Sequence, residues 1–271
     1  MPEHYFERSG SQDTPPRIEG LEFIELATDQ PQETDRFLRL LGFIPRARHR
    51  SKAVTLYQQG SINLVVNATE GSFAAEYASI HGSSACALAL NTQDASSTYQ
   101  NLLGRGAWES GTSAGAMELN IPAIESIGGS QIYLIDRYAE GISIYDIDFK
   151  PLPDAGEDPG LLNAITGLTL TMEPARVADW RDFFRQLFGF EPVSEDCLAL
   201  DKQTRIQLDG SGAADLADER IGAVEFSAAD LAATQRHFAS QGLSIKAAGD
   251  GDRFEVIPPS AALSFRVFIS R

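Results

Sequence analysis

The chain is poor in the residues that most often carry chemistry. Its 271 residues include two cysteines, Cys86 and Cys197, and four histidines, His4, His49, His81 and His237. Two cysteines in apolar stretches exclude a disulfide scaffold and fit a reducing, cytoplasmic setting. Lys and Arg number 22 against 38 Asp and Glu, a formal net charge of −16. A field of that sign opposes nucleic acid and anionic membrane surfaces, so neither is expected as a partner. No apolar run reaches the ~18 residues of a membrane helix. The opening MPEHYFERSG lacks the apolar core of a secretory leader. There is no Walker pattern, nucleophile elbow, CxxC or HxxxH. Gly128 and Gly129, in IESIGGSQIY, read as a turn between strands rather than a phosphate loop. Without a histidine partner, Cys86 and Cys197 read as apolar fillers.

What the chain does contain is repetition. GLEFIELATDQPQETDRFLRLLGF, ending at Phe43, matches GLTLTMEPARVADWRDFFRQLFGF, ending at Phe190. Gly20 falls on Gly167, Asp35 on Asp182, Phe37 on Phe184 and Gly42 on Gly189. Each segment reads as a strand, an amphipathic helix and a glycine stop. ACALALNTQDASSTYQNLLGRGA and GAVEFSAADLAATQRHFASQGL repeat the pattern, with Asp94 and Asp230 in register as helix N-caps. Strand-like runs follow each helix: VTLYQQGSINLVVN, QIYLIDRY with ISIYDIDF, CLALDKQTRIQL, and RFEVI with SFRVFIS.

These units predict an α+β fold of two tandem domains, each of paired βαβββ units. The expected organisation is a mobile tail at 1–17, an N-terminal domain at 18–150, a Pro/Gly-rich linker at 151–163 and a shorter C-terminal domain at 164–271.

The βαβββ repeat is that of the vicinal-oxygen-chelate superfamily. Three stretches are more specific: HRSKAVTLYQQGSINLVVN from His49, HGSSACALAL from His81, and MELNIPAIESIGGSQIYLIDRYAEGISIYDIDF from Met117. They resemble the 4-hydroxyphenylpyruvate dioxygenase family over nearly all of 18–150. Residues 164–271 resemble its C-terminal, catalytic domain in outline. The resemblance implies a non-haem iron(II) dioxygenase of an aromatic 2-oxo acid, its iron held by two His and one Glu on strands of the second domain. The corresponding positions here are Gly167, Ala223 and Val267, and none of these side chains ligates iron. The family's C-terminal helix, which closes over the site, is expected to be missing after Arg271.

Among the remaining polar residues, strand parity places Glu225, Arg266 and Arg205 toward the second cavity, as candidates for ligand binding. A Glu225–Arg266 pair would replace the iron electrostatically or hold a ligand carboxylate. In the first domain the matching positions lie near Glu22, Ala87 and Asp146. Glu22, Glu25, Asp146 and Asp148 are candidates for a proton-sharing group. The basic segment Arg46, Arg48, His49, Arg50 and Lys52 reads as a solvated strand edge or an anion or interface patch. His49 and His81 are expected in structural or interface roles, and His237 on the exposed side of a helix.

The expected function is that of a family member without its iron triad or dioxygenase activity, binding a small aromatic or carboxylate ligand in the C-terminal cavity with no cofactor. The alternatives are an active dioxygenase with Fe(II) on relocated ligands (Glu225, His237 or the first domain), and a metal-free lyase or isomerase. Open sheet edges would also allow a homo-oligomer.

Overall fold

A computed structural model describes residues 14–111, 120–136, 142–153, 156–249, 251–258 and 263–271. Most of the expected tail, and parts of the Met117–Phe149 stretch, lie outside the described residues.

The first unit is β1 (Ile18–Ala27), α1 (Pro31–Leu40), β2 (Ile44–His49), β3 (Val54–Gln59) and β4 (Ile62–Asn67). After α2 (Phe73–His81), the second runs through β5 (Ser84–Thr92), α3 (Ala95–Gly104), β6 (Ala123–Glu125) and β7 (Gln131–Ile135). A short α4 (Ile144–Asp148) leads into β8 (Phe149–Pro151). The third unit is β9 (Leu162–Thr171), α5 (Val177–Phe188), β10 (Glu191–Ser194), β11 (Cys197–Ala199) and β12 (Arg205–Asp209). The fourth is β13 (Arg220–Ala228), α6 (Leu231–Ser240), β14 (Ser244–Ala247), β15 (Arg253–Ile257) and β16 (Arg266–Ser270).

The helix signals act as the sequence suggests. Asp94 and Asp230 cap α3 and α6 by accepting from the backbone N–H groups of Ser97 and Ala233, at 2.7 and 2.9 Å. Gly189 ends α5 in the left-handed conformation. One reading needs correction. ISIYDIDF is not a strand throughout: Ser143 and Asp146 form a capping box that makes 144–148 a helical turn. Within the expected linker, Pro151 ends β8 and Leu162 opens β9.

Apart from one edge strand each, β8 and β14, the two halves repeat one strand order. The first reads β8-β2-β3-β4-β1-β5-β7-β6 and the second β10-β11-β12-β9-β13-β16-β15-β14. In each, the central antiparallel pair (β1 with β5, β9 with β13) is flanked by parallel partners. The halves join where Ile221 on β13 pairs with Ala85 on β5.

Alternate residues of these strands face opposite layers. Leu168, Val224, Val267 and Ile206 are buried with Phe184 and Phe238 of the helices. The same core takes in Ile24, Phe37 and Leu64 from the first half, and Phe43 meets Phe226 edge-on at 5.6 Å. The linker is fastened to this body by Gln59, which is buried. Its amide donates to the carbonyl of Leu41 at 3.0 Å and accepts from the N–H groups of Leu161 and Leu162 at 3.0 and 2.9 Å.

Candidate ligand-binding site

The faces turned away from the helices carry the candidate chemistry. In the second half, backbone register sets two neighbouring rows across the sheet. One is Gln207–Thr169–Ala223–Arg266 and the other Arg205–Gly167–Glu225–Phe268–Glu255. Thr169, Gln207, Ala223, Arg253, Arg266 and Phe268 line a cavity of about 500 Å³, within the range of small-molecule sites, ~300–1,000 Å³.

Phe268 is the centre of the arrangement. The Arg253 guanidinium lies 3.8 Å from its ring centroid and that of Arg266 lies 4.7 Å away. Arg266 holds Glu255 with two hydrogen bonds, 2.7 and 2.9 Å long. That contact draws the Glu255 carboxyl below its ordinary range and raises the guanidinium of Arg266. Two of five Arg266 donors are used, and its side chain is 60% exposed. Arg253 Nε lies 3.3 Å from Glu225 Oε2 but out of line for a hydrogen bond, and has no such partner despite being buried. The face therefore offers an aromatic ring and two guanidinium groups, with the carboxylates of Asp196 and Asp209 in the same cavity wall.

The three residues proposed from sequence are not brought together. Arg266 lines the cavity, but its ion partner is Glu255 and not Glu225. Glu225 is paired with Arg253 and sits beside Gly167 rather than in the cavity wall. Arg205 shares their face but points into a turn, donating to the carbonyls of Asp201 and Thr204 at 2.9 and 3.2 Å. Arg253, Phe268 and Glu255 were missed. The period-two spacing of Arg253 to Glu255, and of Arg266 to Phe268, puts each pair on one face; only cross-strand register joins them.

The three positions that the resemblance assigns to iron fare unequally. Gly167 and Ala223 lie on the face of the cavity. Val267 does not: it is 1% exposed, paired with Val224 and packed in the core under the helices. The residue in register with Ala223 is Arg266, whose cation repels a metal ion. Glycine, alanine and arginine do not fit iron. Relocated ligands are not assembled either. His237 is half-buried on α6, in the helix layer, across the sheet from Glu225. Among the described residues no group of three His, Cys, Asp or Glu could hold a metal.

The first-half candidates also separate. Glu22 accepts from Asn91 and Tyr145, Glu25 from Asn67, and Asp146 from Ser143. With Asp148 on α4 beside Asp146, the four carboxylates form no proton-sharing group. The basic segment is not a free edge: β2 is covered by β8, Arg46 donates to the Gly156 carbonyl and Arg50 to that of Ile147. His81 contacts the Gly128 carbonyl, and burial holds its ring below the ordinary histidine range. Burial also pushes both thiols up, against a nucleophilic role.

Paired βαβββ units with this strand order define a vicinal-oxygen-chelate fold. Residues 12–150 match the family model described as hydroxyphenylpyruvate dioxygenase, HPPD, N-terminal. The chain is 36% identical over 270 residues to a 4-hydroxyphenylpyruvate dioxygenase of Pseudomonas sp. (strain P.J. 874), covering 90% of this chain and 76% of that one. It is 40% identical over 183 residues to hemolysin VllY of Vibrio vulnificus, spanning 65% of this chain and 51% of that one. A solved fusion of a xylose isomerase-like TIM barrel with 4-hydroxyphenylpyruvate dioxygenase superposes with a TM-score of 0.75 at 21% identity, covering 96% of this chain and 50% of that one. The chain belongs to the 4-hydroxyphenylpyruvate dioxygenase family. It spans about half the length of several curated relatives it matches. Among the described residues no helix is long and apolar enough to cross a membrane.

Proposed function

We propose that this chain is a metal-independent member of its family, which binds a small carboxylate-bearing aromatic molecule in the C-terminal cavity. The observation that supports this reading is the Arg253–Phe268–Arg266 stack on the cavity wall. A guanidinium with spare donors recognises a carboxylate through paired hydrogen bonds. Arg253 Nε, buried without a hydrogen bond, gains an acceptor when such a ligand enters. Thr169 and Gln207 supply hydroxyl and amide contacts in the same cavity. An iron-dependent oxygenation draws no support from the glycine, alanine and arginine found on the corresponding face.

The test is calorimetric titration of the whole chain with 4-hydroxyphenylpyruvate and 4-hydroxyphenylacetate, alongside elemental analysis for iron. Saturable binding, weakened about tenfold (~1.4 kcal/mol) or more by Arg266→Ala, is expected. Stoichiometric iron surviving dialysis, or binding indifferent to Arg266, would overturn the reading.

A further inference from the structure

The first half carries a cavity of its own, of about 690 Å³. Glu25 and Gln131, which flank Ala87 in one row across the sheet, both line it. The row Glu25–Ala87–Gln131 takes the place in its half that Thr169–Ala223–Arg266 takes in the other, by strand pairing rather than by the sequence repeat, which sets Thr169 on Glu22: in both rows the central alanine pairs antiparallel with one neighbour and parallel with the other. In the second half the alanine is flanked by Thr169 and Arg266, which line the cavity. In the first it is flanked by a carboxyl and an amide, which line theirs.

Both flanking side chains are deeply buried: Glu25 is 5% exposed and Gln131 is 3% exposed. Asn67 donates to Glu25 Oε1 at 2.7 Å. Gln131 Oε1 has no hydrogen-bond partner, and neither has Thr69 Oγ1 in the wall of the same cavity. A buried acceptor without a donor is costly, so these atoms mark a place where a donor belongs. The charges agree. Among the described lining residues, Glu25, Glu70, Glu76 and Glu125 face a single cation, Lys52. The rings of Phe73 and Tyr133 complete the wall.

We propose that this second cavity binds a small aromatic amine, its ammonium group donating to Glu25 and Gln131 and its ring lying against Phe73 and Tyr133. A cation is favoured by the carboxylates and by the aromatic faces. Burial holds the Glu25 carboxyl above its ordinary range. An ammonium group beside it favours the ionised form, so amine binding and ionisation of Glu25 are coupled.

The test is calorimetry of the whole chain with 2-phenylethylamine, and with 2-phenylethanol as its neutral counterpart. The expected result is saturable amine binding, weakened about tenfold or more for the alcohol and in Glu25→Gln. No saturable amine binding, equal binding of the alcohol, or undiminished binding by a folded Glu25→Gln would overturn the proposal. Should Glu25→Gln fail to fold, Gln131→Leu decides: binding is expected to weaken about threefold or more, and unchanged affinity refutes the site.

Discussion

Glu225 fills the space above Gly167. A Cβ placed on Gly167 would lie 3.2 Å from the Cβ of Glu225, its cross-strand partner, closer than ordinary contact. Any larger residue at 167 therefore meets Glu225 before it reaches the cavity. Gly167→His is expected to destabilise the fold by ~1–3 kcal/mol through overpacking. Adding Glu225→Gly, which removes that Cβ, should recover part of the loss, a non-additivity that a double-mutant cycle in urea would reveal. Strictly additive losses would show that the two side chains do not compete.

Glu25 gives stability a pH dependence of definite sign. Burial raises its carboxyl above the ordinary value of 4.5, against the lowering effects of Asn67, Tyr133 and Lys52. A group whose folded pKa is raised stabilises most when protonated. Its contribution fades as pH climbs from the unfolded value through the folded one. Glu25→Gln, neutral at every pH, should raise the melting temperature near about pH 8 and lose that advantage near about pH 4. A constant difference across this range would remove Glu25 as the cause.

Gln59 serves three backbone groups at once while only 1% exposed. Gln59→Leu keeps the bulk but strands the carbonyl of Leu41 and the N–H groups of Leu161 and Leu162. A loss of ~2–4 kcal/mol is expected in urea unfolding. A change below ~0.5 kcal/mol would mean that water replaces the amide without penalty.

Asp230 supplies the first hydrogen bond of α6. Asp230→Ala should cost ~1 kcal/mol, and Asp230→Asn almost nothing, since asparagine caps equally well. Equal losses for both would point to charge rather than capping.

The repeat, the caps and the glycine stops were legible because each depends on residues close in sequence. Asp94 and Asp230 announce their helices within three positions. The site was only partly legible. Parity placed Arg266 on the open face, yet its partner proved to be Glu255, because the β15–β16 register decides which carboxylate lies opposite. The same register turned Val267 into the core. In ISIYDIDF the alternating apolar residues imitate a strand; the Ser143–Asp146 capping box and packing of Ile144 against Phe149 outweigh that pattern.

The alternation of the strands has a consequence for how such a protein changes over generations. Along β9, β13 and β16, Leu168, Val224 and Val267 hold the helices, while Thr169, Ala223 and Arg266 floor the cavity. Folding and chemistry are written in alternate letters of the same words. One set can differ in character, cationic in one half and acidic in the other, while the other set goes on holding the helices.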